Sequence, residues 1–204
     1  MARHSELVKI PRIDRYVSKL ALGTAPLGGL FTSVAESDAE STILAAANFG
    51  ITYFDTAPLY GYGVAERRLG AALNKSGKKF VLSTKVGRVL NKIDPNKPVA
   101  DDSLGSFADI DPDVTPVFDF SREGVLRSIE ESLKRMNVSS IDIAYIHDAD
   151  DRIGEAIEKS YPVLDELRSQ GVLKGIGVGM NYCVPSIKAV KEMDLDIILI
   201  AGRF

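Results

Sequence analysis

Five residues able to trade protons or hold polar groups stand at or just past the ends of apolar runs: Asp55, Tyr60, Lys85, His147 and Asn181. The first two fall in FDTAPLYGYG, residues 54–63, directly behind the run from Ile51 to Phe54. A tyrosine hydroxyl, with a pKa of about 10, is a poor proton donor or acceptor at neutral pH. A neighbouring ammonium favours the phenolate and brings that pKa towards the working range, and a carboxylate can hold the ammonium in place. A histidine beside them can hydrogen-bond a substrate oxygen. Such a set suits protonation of a carbonyl oxygen as hydride reaches carbon, or removal of an alcohol proton in the reverse direction. None of these groups carries hydride, so a nicotinamide cofactor has to supply it.

Taken singly, each residue has a plainer reading. Asp55 alone caps a turn before Thr-Ala-Pro, Lys85 alone is a solvated strand-end residue, and His147 alone is a satisfied structural histidine. Their common placement decides between the readings. Apolar runs of strand length occur at 19–22, 51–54, 80–84, 141–146, 175–179 and 197–201, with helix-period segments between them. Ser37, with Glu40 three residues on, forms a capping box for a helix reaching Asn48. Further helices are expected from Val64 to Leu73, from Ser121 to Met136, from Ile153 to Ser169, and after Pro185 to about Met193. Strand and helix in steady alternation imply parallel pairing, because each crossover is too long for a hairpin.

A doubly wound nucleotide-binding sheet would show Gly-x-Gly-x-x-Gly after its first strand, and Gly23, Gly28 and Gly29 do not fit that spacing. The fold class expected is instead α/β, a (β/α)8 TIM barrel of which this chain holds the first six β/α units as one domain, residues 1–204. In a parallel barrel the strand ends open onto one face, so residues 55, 85, 147 and 181 can converge on one pocket. Tyr60 can fold back over Asp55 on a loop stiffened by Pro58 and turned by Gly61 and Gly63.

On LGTAPLGG, FDTAPLYGYGVAERRLG, STKVGR, SLKRMNVSSIDIAYIHDAD and GVLKGIGVGMN, taken in that order, the sequence resembles the aldo-keto reductase family. The resemblance implies a catalytic tetrad of Asp55, Tyr60, Lys85 and His147, with Tyr60 exchanging the proton. It implies a cofactor, NAD or NADP, with Asn181 holding the nicotinamide carboxamide and Gly23, Thr24 and Asp55 lining it. Family members often carry a serine before that asparagine, where this chain has Met180. The long insertion after KVGR is similar to the branch that oxidises aldoses such as fucose, arabinose or galactose at carbon 1, or pyridoxal. The partner implied is a small carbonyl compound or sugar. The family's grip on the cofactor phosphates lies after strands 7 and 8, so NAD and NADP are not distinguished here. Two other readings stand beside this one: a barrel lyase or aldolase using Lys85 as a Schiff base, and a non-catalytic subunit that holds cofactor and regulates a channel.

The rest of the chain bounds these readings. Residues 87–120, with four prolines, are expected to form a long loop closing over the substrate as a lid. Arg88 at its base is expected to pair with a local carboxylate. A net charge of -3 with scattered Lys and Arg gives no footprint for nucleic acid or an anionic membrane. MARHSEL lacks a basic-then-apolar leader and no apolar run has the length of a span, so a cytoplasmic protein is expected. Cys183, the single cysteine, is expected to be a packing residue, and no metal site is expected at HDADD, residues 147–151. An eight-stranded barrel takes about 250 residues, so this chain of 204 is expected to be a fragment that binds cofactor weakly by itself.

Overall fold

A computed structural model describes residues 6–93, 107–110 and 112–202. The chain opens with a hairpin, β1 (Leu7–Ile10) and β2 (Arg15–Ser18), paired antiparallel. There follow β3 (Leu22–Gly23), α1 (Glu36–Asn48), β4 (Tyr53–Asp55), α2 (Val64–Ser76) and β5 (Val81–Val86). An antiparallel ribbon, β6 (Arg88–Lys92) and β7 (Val114–Phe118), leads to α3 (Arg122–Met136) and β8 (Ile143–His147). The fourth crossover is one continuous helical run, α4 (Ile153–Glu155), a π turn over Ala156–Ser160 and α5 (Tyr161–Ser169). Last come β9 (Gly175–Met180), α6 (Cys183–Glu192) and β10 (Ile197–Ile200).

Six strands form one parallel curled sheet in the order β10-β9-β8-β5-β4-β3, with the helices on its outer side. This is a (β/α) barrel in part, six parallel strands joined by five helical crossovers, in accord with the expected fold class. No described helix is long and apolar enough to cross a membrane.

The outer layer is made by simple patterning. Helix α3 buries Val125, Ser128, Ile129, Ser132 and Met136, spaced three and four apart, against the sheet. Helix α1 does the same with Ala39, Ile43 and Ala47. The strands answer with their outward residues, Phe54, Leu82, Val86, Ala144, Ile146, Ile176 and Val178, all in the same core cluster. Each of the larger side chains contributes roughly 1.5–3 kcal/mol by leaving water.

The inner side of the sheet differs. In β9 the sequence GIGVGM alternates, Ile176, Val178 and Met180 outward and glycines inward. A Cβ on Gly175 would lie 2.1 Å from Ile13 Cδ1, one on Gly177 would lie 3.0 Å from the Tyr145 ring, and one on Gly179 3.6 Å from Lys85 Cε. The three glycines make room, from bottom to top, for the hairpin's plug, a buried tyrosine and the lysine. Ile10, Ile13 and Val17 of the hairpin join Val81, Ile143 and Tyr145 in a second apolar cluster that closes the lower end.

Several expectations need correction. Helix α1 begins at Glu36 with Ala35 as its N-cap and no side-chain cap, so Ser37 lies inside the first turn and the capping box does not form. Ser121 does cap α3, its hydroxyl accepting from Gly124 N at 3.1 Å. The first barrel strand is Leu22–Gly23 rather than 19–22; Lys19 instead pairs with Glu6 at the end of the hairpin. That hairpin was not anticipated, because a two-stranded ribbon has little stability of its own and takes its place by packing into the lumen. Cys183 is exposed at the start of α6, not packed. The segment 87–120 is a ribbon at both ends rather than loop throughout; its part from 94 to 106 lies outside the described residues.

Candidate active site

Three strands position the titratable groups, and period-2 alternation sets which side each residue faces. Asp55 closes β4 opposite Ser83 of β5, Lys85 two residues on lies opposite Tyr145 of β8, and His147 ends β8 opposite Gly179. Asp55, Ser83, Lys85, Tyr145 and His147 therefore share the lumen side. Tyr60 comes from the loop after β4, where tight turns return the chain: Tyr60 N donates to Ala57 O and Tyr62 N to Leu59 O. Gly61 is required there. Its φ is +62°, and a Cβ would stand 2.3 Å from Gly28 O, so only a bare backbone lets this loop lie against the one after β3.

Lys85 is 1% exposed. Its Nζ donates to Asp55 Oδ2 at 2.5 Å and to Thr56 O at 2.8 Å. An ammonium has three protons, and these two acceptors leave one unspent on the side of Tyr60. The nitrogen stands 4.7 Å from the centroid of the Tyr60 ring. Asp55 is held from the other side by the Ser83 hydroxyl, which donates to Oδ1 at 2.6 Å. The His147 ring meets Tyr60 edge to face, with centroids 5.7 Å apart and planes at 86°.

The electrostatics of the group follow from burial. Lys85 loses water, which disfavours its charge, but Asp55 and Tyr60 more than offset this and raise its pKa. It is an ammonium at any working pH. Burial is the largest influence on Tyr60 and raises its pKa above 10; Lys85 pulls the other way, and Asp55 adds to the rise. The expectation that the ammonium brings the phenol below its ordinary value is thus corrected: Lys85 moderates a larger desolvation effect. His147 is held well below 6.5, first by burial and then by Lys85 and Arg88, and is neutral. Its Nδ1 is buried without a hydrogen-bond partner among the described residues.

Tyr60, Lys85, His147 and Asn181 face one cavity of about 370 Å³, with Ala25, Leu30, Leu59, Phe107, Asp148, Met180 and Leu199 among its other walls. Phe107 sits 6.4 Å from both Tyr60 and Tyr62, centroid to centroid, and the backbone at Leu30 bridges to it. Asp55 stands behind Lys85. Gly23 and Thr24 do not line the cavity: Thr24 is buried with its hydroxyl on Asp55 O at 3.1 Å, and their neighbour Ala25 forms the wall. Asn181 follows β9 immediately. Its Nδ2 donates to Asp148 Oδ1 at 3.0 Å and to Asp150 Oδ2 at 3.2 Å, which leaves Oδ1 to accept from a carboxamide. Neutral amide, neutral imidazole, phenol and apolar walls together fit a nicotinamide ring.

Sequence reasoning missed three contributors. Ser83 and Tyr145 lie two residues before Lys85 and His147, so strand alternation alone would have put them on the same face. Asp148 was read only within an acidic run. It holds a left-handed backbone, φ 45°, and joins Arg88 at 3.4 Å, His147 Nε2 at 3.5 Å and Asn181. Arg88 pairs with a carboxylate as expected and also stacks on Phe118, 3.9 Å from the ring centroid. Asp150 accepts from the backbone nitrogens of Asn181 and Tyr182 where α6 begins.

A sequence model described as the Aldo/keto reductase family matches residues 19–204. The chain is 37% identical over 190 residues to a D-threo-aldose 1-dehydrogenase from a Pseudomonas species, covering 92% of this chain and 57% of that protein. It is 37% identical over 217 residues to a pyridoxal 4-dehydrogenase from Microbacterium luteolum, covering 98% and 63%. Among solved structures, a glycerol dehydrogenase from Gluconobacter oxydans superposes with a TM-score of 0.73 at 28% identity, over 96% of this chain and 55% of that one. The chain thus spans less than two thirds of the length of these relatives.

Proposed function

This chain belongs to the aldo/keto reductase family, and from that premise we propose that its cavity serves an oxidoreductase moving hydride between nicotinamide and a carbonyl or alcohol carbon. The substrate we favour is an aldose of the L-fucose, D-arabinose or galactose type, oxidised at carbon 1. The observation that carries the reading is a phenol ring that lies against a buried, carboxylate-held ammonium and packs edge to face on a neutral imidazole, all facing one cavity.

In this proposal Tyr60 accepts the proton of the sugar's anomeric hydroxyl during oxidation and donates a proton to the carbonyl oxygen during reduction. Lys85 stabilises the phenolate that oxidation requires, and Asp55 keeps Lys85 in place. Neutral His147 hydrogen-bonds the reacting oxygen and orients it towards Tyr60. Asn181 would hold the nicotinamide carboxamide through Oδ1, with Gly23, Thr24 and Asp55 behind it. When bound, the cofactor, NAD or NADP, supplies or receives the hydride that no side chain can carry. Asp148 and Asn181 add polar groups suited to sugar hydroxyls. The segment around Phe107 acts as the substrate-side lid.

Because burial leaves Tyr60 with a raised pKa, oxidation is expected to keep speeding up as pH rises past the ordinary phenol value of about 10, and reduction to slow. The test is the change in nicotinamide absorbance when the protein is mixed with NAD or NADP and L-fucose, D-arabinose, galactose or pyridoxal. Turnover of a sugar that Tyr60→Phe abolishes supports the reading. Turnover undiminished in Tyr60→Phe overturns the proton role. Preference for pyridoxal would select the second reading, which the Microbacterium luteolum relative favours. Cofactor binding without turnover of any carbonyl would place the protein among non-catalytic subunits.

A further inference from the structure

The loop that follows β3 stands between Tyr60 and the cavity wall made by Phe107. On one side it lies directly on the turn that carries Tyr60, since a Cβ at Gly28 would stand 2.6 Å from the Tyr60 carbonyl carbon. On the other side it meets residues 107–109. Leu30 and Phe107 form an antiparallel bridge there, and Ala108 N donates to Gly29 O at 2.8 Å. Leu30 and Phe107 both line the cavity.

Asp109 adds a side-chain clamp to these backbone contacts. Its Oδ1 accepts from the Ser33 hydroxyl at 2.5 Å, and its Oδ2 accepts from Val34 N at 2.9 Å and from Arg68 Nη1 at 3.2 Å. Gly29 leaves room for it: φ is +83° there, and a Cβ would stand 2.9 Å from Asp109 N and 3.0 Å from its Cγ. Arg68, buried on α2, is fixed without Asp109. It donates to Leu27 O at 2.7 Å, to Val34 O at 2.8 Å and to Glu36 Oε1 at 3.1 Å. The barrel side of the clamp therefore has its own supports, and the carboxylate brings residues 107–109 to it. The Ser33 hydroxyl, and after it the Val34 N–H, hold the Asp109 carboxyl below its ordinary pKa, so it is charged at working pH.

We propose that Asp109 is a positioning residue for the substrate side of the cavity: seated on Ser33, Val34 and Arg68, it clamps residues 107–109 to the loop after β3 and so fixes the Phe107 ring beside Tyr60. The ring lies 6.4 Å from both Tyr60 and Tyr62, centroid to centroid. It offers the apolar face of a sugar ring an aromatic surface next to the group that exchanges the proton. Asp109 touches no reacting atom; it acts through Phe107.

The role in substrate choice rests on the function proposed above, but the clamp itself can be seen without turnover. Hydrogen exchange at the Ala108 amide, followed by NMR on the full 204-residue chain, reports how firmly the segment is seated. Asp109→Ala is expected to speed it about tenfold, the effect of losing hydrogen bonds to a charged group, while the amides of β5 and β8 keep their rates. Asp109→Asn, which keeps an acceptor for Val34 and Arg68, should fall between the two. Ala108 exchange unchanged in Asp109→Ala overturns the proposal. Equal acceleration throughout β5 and β8 also overturns it, because that marks a general loss of stability. Should Asp109→Ala fail to fold, Ser33→Ala removes one donor to the carboxylate, and an Ala108 rate equal to the wild type there overturns the clamp. With a sugar that the wild type oxidises, Asp109→Ala should raise the KM for the sugar severalfold and leave the KM for cofactor unchanged; an unchanged sugar KM overturns the role in substrate choice. If the exchange pattern holds and the wild type oxidises no sugar, the clamp stands and the function proposed above fails.

Discussion

Two buried carboxylates, each paired with a cation, lie back to back across strand β5, and the inner cation faces the cavity. Lys85 points into the lumen and meets Asp55; its neighbour Thr84 points outward and donates to Glu66 Oε1 at 2.8 Å. Glu66, 0% exposed on α2, takes Arg135 Nε on its other oxygen at 2.6 Å, and the remaining Arg135 nitrogens turn to Glu131 and Ser132. The outer pair is closed: its donors and acceptors serve to tie α2, α3 and β5 together. The inner pair keeps one ammonium proton for a phenol on a cavity wall. A buried carboxylate, pairing and short distances are common to both, so these alone do not mark a functional site. What separates them is that the lumen pair ends on a group with access to a substrate.

The comparison can be broken most directly at Tyr60. Tyr60→Phe removes the proton exchanger without touching either ion pair, and turnover is expected to fall ~10²–10⁴-fold with the thermal midpoint unchanged. A comparable drop in stability would show the hydroxyl to be structural. Next in size is the outer pair. Glu66→Leu leaves Arg135 without its buried partner and is expected to cost ~3–5 kcal/mol, read from urea unfolding. The pH–rate profile of the folded protein should not move; a shift would mean that the outer pair reaches the site.

Gly177→Ala tests the lumen's spacing. The new methyl meets Ile197 O and the Tyr145 ring, and overpacking of this kind costs ~1–3 kcal/mol. Gly154→Ala, at a helical position with open space around it, should not destabilise and serves as the control. The smallest effect belongs to His147. Its folded pKa lies well below the unfolded value of 6.5, so below that pH the unfolded chain binds the extra proton and stability falls. Between about pH 6.5 and 5 the loss should approach ~1.4 kcal/mol per pH unit from this residue. His147→Gln should flatten that slope, and an unaltered slope would mean the imidazole is not buried neutral.

Much of this was legible in the order of residues. Polar residues behind apolar runs at 55, 85, 147 and 181, with helical periods between, suffice for a parallel barrel whose strand ends converge, because alternation and helix period are local properties of the chain. The same alternation already placed Tyr53 with Asp55, Ser83 with Lys85 and Tyr145 with His147 on common faces. Other features depended on distant partners. The hairpin that plugs the lower end, the ribbon at 88–118, the exposure of Cys183 and the helix start at Glu36 were each decided by what packs nearby, which no local pattern states. Register across strands, not the sequence of any one of them, brought Ser83 opposite Asp55 and so gave the carboxylate its second partner. The balance at Tyr60 was likewise a tertiary matter: composition and spacing supply the ammonium, but how much water the phenol loses depends on every wall around it, and that loss outweighs the charge beside it.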